Sequence, residues 1–123
     1  GALQGEKAHT VWVGDVLIQA EATGTDTYEI NRNLLLTDGA RADSIPNLEI
    51  ETGEVAGAGH ASATGRFDEE QLFYLMARGI PAEEARRLVV RGFFAELLNK
   101  IPVEGLRDRL GDAIEDRLVK AGA

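Results

Sequence analysis

Cysteine is missing from all 123 residues, and histidine occurs only twice. Without thiols the chain forms no disulfide and offers no thiolate to a metal, which fits a reducing compartment such as the cytoplasm. Tryptophan and methionine occur once each, and aromatics make up 6% of the chain, too few for an aromatic-rich sandwich core. Apolar runs are short: none approaches the ~20 residues of a membrane span, and no charged-then-apolar leader opens the sequence, so no membrane partner is expected. Positive charge is also scarce. Thirteen Lys and Arg against 21 Asp and Glu leave a net charge of −8. Such a chain repels phosphate backbones and has no basic stripe, so nucleic acid is not expected as a partner. GxSxG, P-loop and HExxH motifs are absent. His9 and His60 lie far apart with no ligand spacing, so no intrinsic metal site is expected. The chain reads as a non-enzyme. It does not begin with methionine; Gly1-Ala2 reads as an expression scar and the whole as a fragment.

What is present falls into two halves. From residue 9 to about 66 the apolar residues recur with a period near two: Val11 and Val13, then Val16, Ile18 and Ala20, then Tyr28 and Ile30, Leu34 and Leu36, Leu48 and Ile50. Turn signals stand between them at Gly14-Asp15, Thr23-Gly24, Asn31-Arg32-Asn33, Asp38-Gly39, Pro46-Asn47 and Thr52-Gly53. This predicts strands of roughly four to six residues. A meander, a sandwich and the wall of a parallel β-helix share that pattern.

From Asp68 the period turns helical. Asp68 with Gln71 forms a capping box, and Glu69 and Glu70 suit the positive end of the dipole. A first helix presents Leu72, Phe73, Leu75 and Met76 and stops at Gly79. Pro81 opens a second, with Ala85, Leu88, Val89, Phe93, Leu97 and Ile101 on one face; Gly92 within it predicts a close backbone contact. After Pro102 a third carries Val103, Leu106, Leu110, Ala113, Ile114 and Leu118 on one side.

His60 stands alone among small residues in AGAGHASATG, residues 56–65. A structural histidine and a functional one both fit that position. Gly57, Gly59, Ala61 and Ala63 would let another backbone approach, with the imidazole as the only reaching group. Asp68, Glu69 and Glu70 are explained by the helix terminus. Arg86, Arg87 and Arg91, with Glu83 four residues before Arg87, read as a solvated, salt-bridged face.

Three stretches, ARADSIPNLEIE, GHASATGRFDEEQLFYLMARGI and EEARRLVVRGFF, are together similar to the C-terminal third of the SufB/SufD family of iron–sulfur cluster assembly scaffolds. The likeness covers most of residues 31–101 and is very specific. His60, then Gly65, Arg66, Phe67 and Asp68 through Leu75, resemble the SufD branch. The SufB branch typically has glutamate directly after that histidine, where Ala61 stands here, and it relies on cysteine.

The resemblance implies a mainly β plus α fold: residues 1–66 as the last coils of a right-handed parallel β-helix, and 67–123 as a helical domain of about three helices. It implies a non-catalytic, cytoplasmic scaffold of the SUF system with two partners. One is a SufB-like paralogue, met through the terminal β-helix strands at Gly57, Ala58, Gly59, Ala61 and Ser62, with His60 as the cluster or interface candidate. The other is a SufC-like ATPase, met through the helical domain, where Pro81, Glu84, Arg87 and Arg91 are the expected contacts. Many SufD-like proteins carry cysteine where Ala58 stands, so thiolates for a transient cluster would come from the partner, and no cofactor is expected on this chain alone. A cut β-helix leaves unpaired backbone, which predicts self-association or cover by the N-terminal segment. Two alternatives are a SufB-like scaffold and a fragment of a β-helix enzyme acting on polysaccharide; the second would need acids clustered on the outer coil face, whereas Asp15, Asp26 and Asp43 sit beside turn signals.

Overall fold

The computed structural model describes residues 1–122. The chain divides into two compact units between Phe67 and Asp68. In the first, five strands follow one another: β1 (Ala2–Leu3), β2 (His9–Ile18), β3 (Thr25–Leu35), β4 (Arg41–Ile50) and β5 (Val55–Arg66). They form two sheets, ordered β1-β3-β5 and β2-β4, and every pairing is parallel. The chain therefore changes sheet at each connection, and a strand pairs with the next but one. Asp15 and Asn47, 32 residues apart, are such partners, and the asparagine amide donates to the carboxylate at 2.8 Å.

Apart from the two-residue β1, these strands run to 10–12 residues, about twice the expected length. Gly14-Asp15, Asn31-Arg32-Asn33 and Pro46-Asn47, which read as turns, lie inside β2, β3 and β4. The reason is visible between the sheets. Asn31, Asn33 and Ser44 face inward and bond one another: Asn33 Nδ2 donates to Asn31 Oδ1 at 2.7 Å, and Ser44 Oγ donates to the same oxygen at 2.6 Å. Polar side chains satisfied by one another across neighbouring strands become interior residues rather than loop residues. Gly14 is buried because the Trp12 ring and the Glu29 carboxylate occupy the space a Cβ would need.

The genuine connections are those near Thr23-Gly24, Asp38-Gly39 and Thr52-Gly53. They stack on their neighbours. Gly5 N donates to Thr37 Oγ1 at 2.7 Å, and Gly24 N to the Glu54 carbonyl at 2.7 Å. Gly1 and Ala2, which read as a scar, take part in the sheet: the terminal amine donates to the Arg32 carbonyl at 2.6 Å and Ala2 pairs with Leu34.

Parity decides what is buried. Ile18 and Gly14 face inward with Val16 and Trp12, whereas Val11 and Val13 point outward and are 57% and 55% exposed. Tyr28 and Ile30 also point outward, at 65% and 38%. The apolar pairs read from the sequence thus lie on both faces, and the interior is partly polar. His9 and Arg41 are outward register partners, and both bind Asp43: His9 Nε2 lies 2.7 Å from its Oδ2, and Arg41 Nε donates to its Oδ1 at 3.0 Å.

The second unit holds α1 (Glu69–Ala77), α2 (Ala82–Leu98) and α3 (Glu104–Ala121). Asp68 caps α1, its Oδ1 accepting from Glu70 N and Gln71 N, and Gly79 follows the helix with φ +89°. Pro81 is the N-cap of α2 rather than its first helical residue. Ala85 is fully buried as the stripe predicts, with Leu88, Val89, Phe93 and Ile101 half-buried; Val90, outside the stripe, is fully buried too, and Leu97, within it, is 56% exposed. Gly92 has open space where a Cβ would stand, so the close contact expected there does not occur. On α3 only Leu118 is buried, while Val103, Leu106 and Leu110 are exposed. Arg91 of α2 binds Glu115 of α3 through Nε and Nη2, one to each carboxylate oxygen, which raises the arginine's pKa and lowers the carboxylate's.

Two outcomes test this account. Gly39 has φ +83°, and a Cβ there would press on the Glu6 carbonyl, whereas Gly53 has open space. Gly39→Ala is expected to cost roughly 1–3 kcal/mol in chemical denaturation, and Gly53→Ala well under ~1 kcal/mol. Asp43 is held below its ordinary pKa of 3.8, first by the Arg41 hydrogen bond and then by His9. Its contribution to stability is therefore present above the ordinary value and is lost as pH falls through the lowered one. Thermal midpoints measured from pH 6 downward should fall less steeply in Asp43→Asn than in the wild type; equal slopes would show that the triad adds nothing.

Candidate interaction surface

The last strand is the natural place to look, because the strand order leaves it at a sheet margin. β5 pairs with β3 along one edge and has no strand on the other among the described residues. A row of backbone N–H and C=O groups is therefore free to pair. A one-residue bulge sits at its start: Thr25 pairs with Val55, but Asp26 pairs with Gly57, so Ala56 is extra. Beyond this bulge the partners are Thr27 and Ala58, Tyr28 and Gly59, Glu29 and His60, Ile30 and Ala61, Asn31 and Ser62.

Register partners in parallel strands share a face. Gly57, Gly59 and Ala61 accordingly lie on the outward face with Asp26, Tyr28 and Ile30. The space left by the two glycines is already filled by this chain: Asp26 lies over Gly57, and the Tyr28 ring lies 3.4 Å from where a Gly59 Cβ would stand. Ala58, His60 and Ser62 take the other parity, beside Thr27, Glu29 and Asn31, and all three are exposed. The small residues around His60 are thus divided between two faces. One face packs against the chain itself, and the other presents a flat floor of Ala58 and Ser62 with the imidazole standing on it.

Glu29 faces inward beside this floor. One carboxylate oxygen lies against Gly14, and Oε2 is buried with no hydrogen-bond partner. Nothing in the local sequence points to it, since Glu29 and His60 are register partners only because of the bulge. His9, the other imidazole, is committed to Asp43 on the β2-β4 sheet.

In the helical unit, Pro81 and Glu84 are exposed at the start of α2 and Arg87 is half-buried. Arg91 is exposed but spent on Glu115. Alongside them the unit leaves Phe73, Tyr74 and Met76 of α1 exposed, at 74%, 56% and 44%, with Arg78 stacked 4.7 Å over the Tyr74 ring. Phe73 and Met76 belong to the apolar set that periodicity predicts for α1, of which Leu72 and Leu75 are the half-buried members.

Among the described residues, no group of three or more His, Cys, Asp or Glu is arranged to hold a metal ion, and no helix is long and apolar enough to cross a membrane. With no cysteine, the donor set does not fit an iron–sulfur cluster held by this chain alone.

Residues 1–93 match the family described as SUF system FeS cluster assembly, SufBD core domain. The chain is 72% identical to an iron–sulfur cluster assembly SufBD family protein of Mycobacterium tuberculosis, over 96% of this chain and 31% of that protein. It is 41% identical to the iron–sulfur cluster assembly protein SufD of Bacillus subtilis and 35% identical to SufD of Escherichia coli, each over 92% of this chain and 26% of the relative. The chain therefore spans about a third of the length of the curated relatives it matches and belongs to the SufBD family of the SUF iron–sulfur cluster assembly system.

Proposed function

We propose that this chain is the pairing and docking end of a non-catalytic SufD-like scaffold in iron–sulfur cluster assembly, working in the cytoplasm. In this reading its five strands are the last coils of a right-handed parallel β-helix. The strand alternation between two parallel sheets, with stacked connections, supports that architecture. The cluster is cargo. It is built against a SufB-like paralogue that supplies the thiolates, with this chain contributing the surface and one imidazole.

The observation that carries the proposal is β5: twelve residues, one unpaired edge, and a face of Ala58 and Ser62 bearing His60. An edge strand with a shallow, small-residue face is suited to strand addition by another protein, where main-chain bonds give affinity and side chains give register. Long exposed edges otherwise invite aggregation, and this one lacks the lysines and prolines that commonly blunt them. The polysaccharide-enzyme alternative has little to stand on, because outward Asp15 is bonded to Asn47 and Asp43 to Arg41 and His9.

Docking of a SufC-like ATPase fits the helical unit, with Pro81, Glu84 and Arg87 beside the exposed aromatic side chains of α1. Arg91 belongs to this group by position, but its bond to Glu115 ties α2 to α3. Charge reversal at Arg91 would therefore disturb the fold as well as a contact, and Glu84 is the cleaner probe.

Two titrations test the proposal. Calorimetry with the cognate SufB-like paralogue should give saturable binding that weakens at least tenfold, about 1.4 kcal/mol, in Ala58→Lys and Ser62→Lys. Wild-type binding that survives both substitutions would remove β5 from the interface. Titration with the SufC-like ATPase should be weakened by Glu84→Lys while circular dichroism stays native; an unchanged isotherm would move the docking site away from the start of α2.

A further inference from the structure

The buried oxygen of Glu29 has no account in the fold. A carboxylate oxygen that is out of water and without a donor is costly, and such a group in a native interior calls for a specific partner. Candidates on its face are few. Asn31 Oδ1, Asn33 Nδ2 and Ser44 Oγ are taken up with one another, which leaves the Asn31 amide and the Thr27 hydroxyl as the other donors on this face, each two residues from Glu29 on the same strand. Across the sheets stand Gly14 and the edge of the Trp12 ring. On the adjacent strand, the side chain in direct register with Glu29 is the imidazole of His60.

We propose that Glu29 is the positioning residue for His60: the carboxylate accepts from one ring N–H and leaves the other nitrogen turned outward from the β5 floor. Adjacent strands are about 4.8 Å apart, so the two side chains, on one face and in register, meet through side-chain rotation alone. The consequence is chemical. A carboxylate behind an imidazole selects its tautomer and orientation and makes the distal nitrogen a better acceptor. A free imidazole on an exposed floor would instead rotate and sample both tautomers. Its use in cluster assembly rests on the function proposed above, but the pairing does not.

The arrangement also gives Gly14 a purpose. A side chain there would displace the carboxylate and the Trp12 ring together. The bulge at Ala56 has one too, since uninterrupted register would set Ile30, not Glu29, beside His60.

The test is nitrogen-15 spectroscopy of histidine-labelled protein at about pH 8, where an ordinary imidazole is neutral. The two imidazoles are assigned with His9→Gln. His60 should show one dominant tautomer and a slowly exchanging ring N–H. In Glu29→Ala the tautomer ratio should shift at least threefold and the slow proton should be lost. His9, bonded to Asp43 on the other sheet, is the internal control and should not change. If Glu29→Ala disturbs His9 as well, the fold has moved, and Glu29→Met, which keeps the length and removes both acceptor oxygens, decides by the same ratio. A His60 spectrum identical in wild type and in the variant that leaves His9 unchanged overturns the proposal. Because no partner is present, loss of SufB-like binding with an intact His60 signature would count against the proposed function alone.

Discussion

The strand unit depends on the parallel register of β3, which carries β1 on one edge and β5 on the other. Once that register is set, alternation assigns every side chain from Thr25 to Leu35 to a face. The same assignment passes to the strand paired beside it. The single break is at Thr25/Asp26, where Ala56 is accommodated as an extra residue. One residue of slip exchanges inside for outside along a whole strand. That bulge is therefore what places Gly59 under Tyr28 and His60 beside Glu29.

The same constraint explains a polar interior. A strand that pairs with the next but one meets its partner far along the chain, and the sheets face each other across a thin layer. Asparagine and serine are stable there when each finds a partner, as Asn31, Asn33 and Ser44 do. The cost of burying amides is offset by their mutual bonds, and the bonds fix the sheets against slippage in a way that apolar contacts do not. Outside, the surface is correspondingly apolar in places. Val11, Val13, Leu17 and Ile45 lie on the outward face of β2 and β4, about half exposed. Here burial follows position in the stack and not hydrophobicity alone.

How much of this was legible follows from where the information lies. The helical unit was readable because its signals are local: Asp68 and Gln71 are one turn apart, Gly79 follows its helix, and Pro81 stands at the next start. On α2 Ala85 lies on the expected face, but Val90 is buried and Leu97 exposed against the periodicity, because packing partners and not spacing alone choose the buried residues. In the strand unit the positions of real turns at Gly24, Gly39 and Gly53 were visible. Gly14, Asn31, Asn33 and Pro46 misled, since their compatibility with a strand comes from tertiary neighbours, such as Glu29 over Gly14 and Ser44 against Asn31 and Asn33, that local sequence does not reveal. His60 could be singled out as the one large side chain in a small-residue run. Its neighbour could not, since a parallel bulge leaves no mark in the sequence other than one more alanine.

Orientation, rather than composition, separates the two roles of the AGAGHASATG run. Had all its small residues lain on one face, they would have made a smooth surface with His60 set into it. Alternation divides them instead, so that the outward glycines let Asp26 and Tyr28 fold down over β5 and cover one side of the strand from within. What remains for another molecule is the opposite face and the free edge. Both are narrow, and a narrow surface without large apolar anchors gains affinity chiefly from backbone pairing. Backbone pairing is indifferent to sequence but strict about register. On the proposed pairing, an imidazole held at one position along such an edge would be brought to a defined place opposite an added strand. A side chain chosen for chemistry gains most from that kind of interface.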